Sequence, residues 1–256
     1  EYAKIVPVNV VVERANFTAV DTVICKNVAA SFSANGNGAG NISAYDWNFG
    51  DGATGTGANP SHSYANAGKY TVQLIITDIV GCKDTLIKPL YIEVDGPTAN
   101  FSSSVPGSCL MSAVVFNDHS TGDGTHPITS WTWSYGDGFT EILTTPPFQH
   151  AYALAGVYTV TLTVTDSKGC TDTYINVSAI NISKPIAAFA SVDTLSCPGK
   201  PINFANSSTG PGLNSNWDFG DGTGSVAATP AHSYAANGIY TVMLVITDQY
   251  GCKDTI

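Results

Sequence analysis

Three observations predict an all-β protein of tandem antiparallel sandwiches. First, only 12% of the 256 residues are charged while 43% are hydrophobic. An ordinary soluble protein carries roughly 25% charged residues, and this balance is that of short strands and tight turns. Second, apolar and polar residues alternate from Gly68 to Asp78, with Tyr70, Val72, Leu74 and Ile76 on one face and Thr71, Gln73 and Thr77 on the other, the period of a half-buried strand. Third, that strand recurs, as Tyr158, Val160, Leu162, Val164 and as Tyr240, Val242, Leu244, Ile246. At ~100 to 150 residues per domain the length suggests two or three domains.

The repeat is carried by marked residues in fixed order. Trp47, Phe49, Gly50, Asp51, Gly52 returns as Trp133, Tyr135, Gly136, Asp137, Gly138, and again as Trp217, Phe219, Gly220, Asp221, Gly222, at offsets of 86 and 84 residues. Each turn is followed by His-x-Tyr (His62 and Tyr64, His150 and Tyr152, His232 and Tyr234), then Gly-x-Tyr-Thr-Val, Thr-Asp and Gly-Cys. One tryptophan per copy falls in a middle strand, where a large ring can span both sheets. The Gly-Asp-Gly segments read as turns, in which glycine supplies positive φ and the aspartate accepts local backbone hydrogen bonds. The histidine is expected to pack and donate a hydrogen bond at the start of the next strand.

The frame of the repeat is shifted. Glu1 to Phe17 aligns with Thr85 to Phe101 and with Thr173 to Phe189, so residues 1–12 are expected to be the final strand of a preceding repeat. Three domains follow, at 13–95, 96–184 and 185–256, the third lacking its last strand. Asp95, Gly96, Pro97 and Ser183, Lys184, Pro185 form short linkers, and proline there limits hinge motion, so an end-to-end array is expected. A strand without its partner is an edge open to pairing. Hence the chain reads either as a window on a longer array or as a subunit whose N-terminal strand completes a neighbour.

Trp-x-Phe-Gly-Asp-Gly followed by His-x-Tyr, Gly-x-Tyr-Thr-Val and Thr-Asp resembles the PKD (polycystic kidney disease) domain, an immunoglobulin-like sandwich common in bacterial surface proteins, including those of Bacteroidota. The resemblance covers essentially the whole chain, with Tyr135 replacing phenylalanine in the second copy. It implies a non-catalytic module, used in adhesins, as a spacer, or beside the catalytic domain of secreted proteases and chitinases. The expected function is therefore an extracellular structural or adhesive repeat segment. The alternatives are a substrate-binding or spacer module of a secreted hydrolase, and a filament subunit assembled by N-terminal strand donation.

Six cysteines fall two per copy: Cys25 and Cys82, Cys109 and Cys170, Cys197 and Cys252. Even counts at equivalent places argue for one disulfide inside each domain, worth roughly 4 kcal/mol on the chain-entropy model, and hence for an oxidising compartment outside the cell. Buried free thiols are the alternative; zinc is disfavoured because no two cysteines are close in sequence.

The residues able to do chemistry point elsewhere than to an enzyme. His62, His150, His232 and the turn aspartates occur in every copy, and a triplicated active site would be odd; His119 and His126 read as loop residues. By resemblance to calcium-binding PKD-like domains, Asn206, Ser207, Asp218 and Asp248 are weak candidates for a calcium ion, with oxygen donors of suitable hardness, although the first two copies do not keep the set. No other cofactor is expected. Trp131 reads as core edge, and Phe139 and Phe148 as exposed loop aromatics able to contact a ligand. Asp-Thr followed by an apolar residue resembles the O-glycosylation sequence of exported Bacteroidota proteins, making Thr22, Thr85, Thr194 and Thr255 candidate glycan carriers.

The formal charge of -10, with few and scattered basic residues, disfavours nucleic acid and anionic lipid, and no apolar run reaches the ~20 residues that cross a bilayer. Expected partners are adjacent repeats of the same protein or identical subunits, then surface glycans or another cell surface, on a secreted or cell-surface protein.

Overall fold

The computed structural model describes residues 13–36 and 41–256. Residues 1–12, expected to form a strand of a preceding repeat, lie outside the described residues. Among the latter there is no α-helix, and none long and apolar enough to cross a membrane.

Each repeat folds as two facing sheets in the immunoglobulin-like manner, antiparallel except for one short parallel strand pair in each of the first two repeats. In the first, a five-stranded sheet runs in the order Val23–Cys25, Lys83–Asp95, Gly68–Asp78, Ile42–Asn48, Thr54–Thr56. Its partner sheet is Phe17–Ala19, Ala29–Ala34, Ser61–Ser63. The second repeat has the same order: Gly107–Cys109, Thr171–Ser183, Gly156–Asp166, Ile128–Ser134, Thr140–Leu143, facing Phe148–Ala151, Ala113–Asp118, Phe101–Ser103. In the third, the strand equivalent to the 13-residue Lys83–Asp95 is the three-residue Lys253–Thr255. Gly238 to Val242 correspondingly carries no strand pairing, and Ile239 is fully exposed.

The period-two reading holds in detail. Val72, Leu74 and Ile76, Val160, Leu162 and Val164, and Leu244 and Ile246 are all buried. The three tryptophans are buried with them, each meeting the first phenylalanine of its repeat edge-on: Phe17–Trp47 at 5.1 Å, Phe101–Trp133 at 5.0 Å and Phe189–Trp217 at 5.0 Å between ring centroids. Such edge-to-face pairs contribute about 0.5–1.5 kcal/mol beyond area burial. The Gly-Asp-Gly turn needs its first glycine for two reasons. Gly50 has φ 90°, and a Cβ there would lie 2.4 Å from the Thr71 carbonyl oxygen; Gly136 and Gly220 repeat both constraints.

By compactness the chain divides into two units. One comprises the described residues up to 99 with 120–130 and 163–173, the other 100–119, 131–162 and 174–256. The first therefore holds the first sandwich together with the loops of the second repeat that meet it. The other holds the remaining body of the second repeat with the third.

Candidate functional site: the cysteine staples

The cysteines do not pair as even counts suggest. Cys25 is bonded to Cys170 within the first unit, and Cys109 to Cys252 within the second, at Cα separations of 5.4 and 5.3 Å, inside the usual disulfide range. Cys82 and Cys197 are free and exposed. The expected pairs Cys25–Cys82, Cys109–Cys170 and Cys197–Cys252 are thus corrected: the first cysteine of one repeat is bonded to the second cysteine of the next. The reason is strand length. Val23–Cys25 pairs in parallel with the far end of Lys83–Asp95, Cys25 opposite Asp95, whereas Cys82 immediately precedes Lys83. Thirteen extended residues therefore separate them, roughly 40 Å at ~3.3 Å per residue. Cys170, in the equivalent turn of the following repeat, comes to the Asp95 end instead.

Two turns build each staple, and both are repeated. The second cysteine sits in the Thr-Asp-x-x-Gly-Cys hairpin, whose aspartate carboxylate accepts two backbone N–H groups. Asp166 Oδ1 takes those of Lys168 and Cys170, each at 2.9 Å, and Asp248 Oδ1 those of Tyr250 and Cys252, each at 2.9 Å. Asp78 Oδ1 does the same for Val80 and the free Cys82, at 2.8 Å each. The first cysteine opens a turn whose residue two further on is left-handed: Asn27 (φ 62°), Met111 (φ 62°) and Gly199 (φ 80°). Their N–H groups donate to the carbonyls of Tyr64, Tyr152 and Tyr234. The following N–H groups, of Val28, Ser112 and Lys200, donate back to Cys25, Cys109 and Cys197. Both free cysteines are therefore presented by the same turns as their bonded equivalents.

Around the staples the two seams differ. In the first unit Lys168 Nζ lies 2.6 Å from Asp95 Oδ2, and Lys26 Nζ, almost wholly buried, lies 3.5 Å from Asp172 Oδ2 and donates to Thr98 Oγ1. Asp95, Asp123 and His126 converge there. Burial would raise the Asp123 carboxyl, but hydrogen bonds from the His126 and Thr125 N–H groups, the His126 ring and the Thr125 hydroxyl outweigh it and hold it well below its ordinary value. With Lys168 on Asp95 and these donors on Asp123, the cluster reads as a seam network. In the second unit the position of Lys168 is taken by Tyr250, whose ring lies so close to Gly107 that a Cβ there would stand 2.3 Å from Cε1.

The marked polar residues serve the sandwiches. His62, His150 and His232 contact Asp51, Asp137 and Asp221 through Nε2 at 2.7, 2.7 and 2.8 Å. Their rings stack on Phe49, Tyr135 and Phe219 at 4.1–4.3 Å. Each aspartate also accepts the N–H two residues on, from Ala53, Phe139 and Thr223. Asp221 is lowered to about 2, chiefly by the Thr223 hydroxyl and then the His232 ring. For Asp51 and Asp137 desolvation acts upward, and the histidine and backbone hydrogen bonds overcome it. His119 bonds Ser102 Oγ at 2.9 Å.

The calcium candidates have local duties. Asn206 Oδ1 accepts the Ser208 N–H, the Ser207 N–H goes to Ala188, and Asp218 Oδ1 accepts from Gly220. Asp248 belongs to the cysteine hairpin, a role that Asp78 and Asp166 repeat. Trp131 is half-buried, its Nε1 donating to Asp118 at 2.7 Å. Phe148, expected in an exposed loop, is instead buried against Trp131 and Trp133, because its short strand pairs with Ala113–Asp118. Phe139 is half exposed. Thr22, Thr85, Thr194 and Thr255 are all exposed. The spacing of Asp to Cys in the hairpin was visible in the sequence; Lys26, Asp95, Lys168, Asp172, Gly107 and Tyr250 were not, since nothing local marks a seam.

A fold of facing sheets, repeated three times with its polar landmarks committed to turns and its cysteines to joining successive copies, defines a tandem immunoglobulin-like repeat protein. The chain belongs to the PKD domain family, whose model matches residues 13–94, 95–181 and 182–256. Among curated relatives it is 36% identical over 135 residues to the pre-pro-metalloprotease PrtV of Vibrio cholerae, covering 52% of this chain and 14% of PrtV. It is 52% identical over 42 residues to collagenase ColA of Bacillus cereus, 16% of this chain and 4% of that protein. Human polycystin-1 matches at 26% over 225 residues, 80% of this chain and 5% of polycystin-1. The crystal structure of the PKD1 domain of PrtV matches at 34% identity with a TM-score of 0.29, covering 34% of this chain and 98% of that domain. This chain thus spans only a small part of the curated relatives it matches.

Proposed function

We propose that this chain is a non-catalytic, extracellular spacer segment whose repeats are stapled in series so that it resists extension. The observation that carries this reading is the pairing of Cys25 with Cys170 and Cys109 with Cys252. A bond inside one domain protects that domain alone, whereas bonds from each repeat to the next carry load past the linkers. The two closed loops overlap between residues 109 and 170. The shortest covalent path between the chain ends therefore crosses from Cys25 to Cys170, returns to Cys109 and crosses to Cys252, less than half of the full contour. Disulfides also suit an oxidising compartment, as do the proteases and collagenases among the relatives.

Pulling single molecules from their two ends tests this. Under oxidising conditions full unfolding should release less than half the length released after reduction. Equal lengths before and after reduction would exclude a load path through the staples.

A second reading, a module of a secreted hydrolase, is favoured by the similarity to PrtV and ColA. Phe139 is then the aromatic available to a substrate, Phe148 being buried. Saturable binding to collagen or a glycan that is lost in Phe139→Ala would support that role, and absence of binding would leave the spacer reading alone.

A further inference from the structure

The seam of the first unit carries more negative than positive charge. Asp95, Asp123 and Asp172 share it with Lys26 and Lys168, so with a neutral imidazole on His126 one carboxylate is unbalanced. The side chains of Asp95 and Asp123 are only 6% and 5% exposed, and an unbalanced charge out of water is costly. The fold does not demand this set. At the second seam Ser183 stands opposite Cys109 as Asp95 stands opposite Cys25. Pro211 lies two residues after the bridge residue Thr209, as Asp123 does after Thr121, and Tyr250 replaces Lys168.

The local turn aims one carboxylate oxygen at the cluster. Asp123 Oδ1 accepts the Thr125 and His126 N–H groups at 2.8 and 2.7 Å and the Thr125 hydroxyl at 2.9 Å, which leaves Oδ2 toward His126, where it also accepts the Gly96 N–H at 3.2 Å. His126 Nδ1 lies 3.1 Å from Asp123 Oδ2, 3.9 Å from Asp95 Oδ2 and 3.0 Å from the Thr125 hydroxyl. One donor atom from each of Asp95, Asp123 and His126 falls within 4.8 Å of the other two. Around a tetrahedral zinc with bonds of ~2.0–2.1 Å, donor atoms stand about 3.3 Å apart, so small side-chain adjustments close this set on one ion. An imidazole with two carboxylates suits a borderline ion, whereas calcium and magnesium take oxygen donors. The competitor is the Lys168 ammonium, 2.6 Å from Asp95 Oδ2 on a side chain that is 31% exposed and whose long stem can carry the charge into water. We propose that a divalent ion of the zinc class binds Asp95, Asp123 and His126 in place of the Lys168 ammonium. The ion ties the last strand of the first repeat to the 123–126 loop of the second, beside the Cys25–Cys170 bond. His126 ligates through Nδ1 with its proton on Nε2, and the two charges of the ion together with Lys26 balance the three carboxylates.

Calorimetric titration with zinc chloride, with metal analysis after gel filtration, tests the site in the full chain carrying Cys82→Ser and Cys197→Ser, which removes the two free thiols as rival ligands. One zinc per chain is expected. Loss of outer partners of a metal site costs 10–100-fold in affinity, so His126→Ala, which removes a ligand, should weaken binding by on the order of 100-fold. Lys168→Met should tighten it, because the competing ammonium is gone; a general loss of folding cannot imitate that opposite effect. Calcium chloride over the same range should not displace the zinc. No zinc retained, affinity unchanged in His126→Ala, or affinity unchanged or weakened in Lys168→Met would each overturn the site, and displacement by calcium would overturn the class of ion.

Discussion

Replacing Cys25 and Cys170 together by serine isolates one staple without leaving a stray thiol. The closed loop spans 145 residues. The chain-entropy relation, with a constant plus a logarithm of loop length, gives about 5 kcal/mol for a loop of that size. The full value applies to the step in which everything between the two cysteines comes apart. If only one repeat opens, its folded neighbour holds part of the loop and the loss is smaller. Followed by tryptophan fluorescence in urea, with a slope of roughly 1–3 kcal/mol per molar, the midpoint of the first two repeats should fall by about 2 M. Cys82→Ser, at the same low protein concentration, should leave it unmoved. The reasoning fails if the double variant melts with the wild type, or if Cys82→Ser costs as much as the pair.

Other consequences follow from the same geometry. Gly107→Val places a branched side chain where the Tyr250 ring lies, and overpacking of this kind costs about 1–3 kcal/mol; a urea midpoint equal to wild type would contradict the seam. Asp95→Asn removes the charge facing Lys168 at 2.6 Å. Losing a charged hydrogen bond should cost about 1–3 kcal/mol, read in the same titration. Asp51, Asp137, Asp221 and Asp123 have folded-state values below the ordinary carboxylate value. Their contribution is thus complete above about pH 4 and lost as pH falls through the folded values, about 2 for Asp221. Stability measured from pH 5 to pH 2 should decline, and a rise on acidification would refute the turn assignments. In material from a glycosylating source, peptides bearing Thr22, Thr85, Thr194 and Thr255 should carry added mass, which bare peptides would disprove.

Much of the fold is legible because the sandwich is encoded locally. Alternation along Gly68 to Asp78 sets which side chains face inward, and Gly-Asp-Gly sets a turn that only glycine at Gly50 can make. The histidine's partner was within reach too, since an aspartate and a histidine recur together in every copy. The staples were not legible for a physical reason. Equivalent spacing says that Cys25 and Cys82 occupy repeated places, but not at which end of the sandwich each lies. That depends on the parallel pairing of Cys25 with Asp95 across some 70 residues, a contact with no local signature. Phe148 was misplaced for a similar cause: flanked by Pro147 and polar residues it reads as a loop, and only pairing with Phe116 turns it inward.

Disulfide mapping by mass spectrometry on protein digested without reduction addresses the staples most directly. Peptides joining Cys25 to Cys170 and Cys109 to Cys252 are expected. Peptides joining Cys25 to Cys82, Cys109 to Cys170 and Cys197 to Cys252 would show each repeat closed on itself, and the load path from one repeat to the next would not exist.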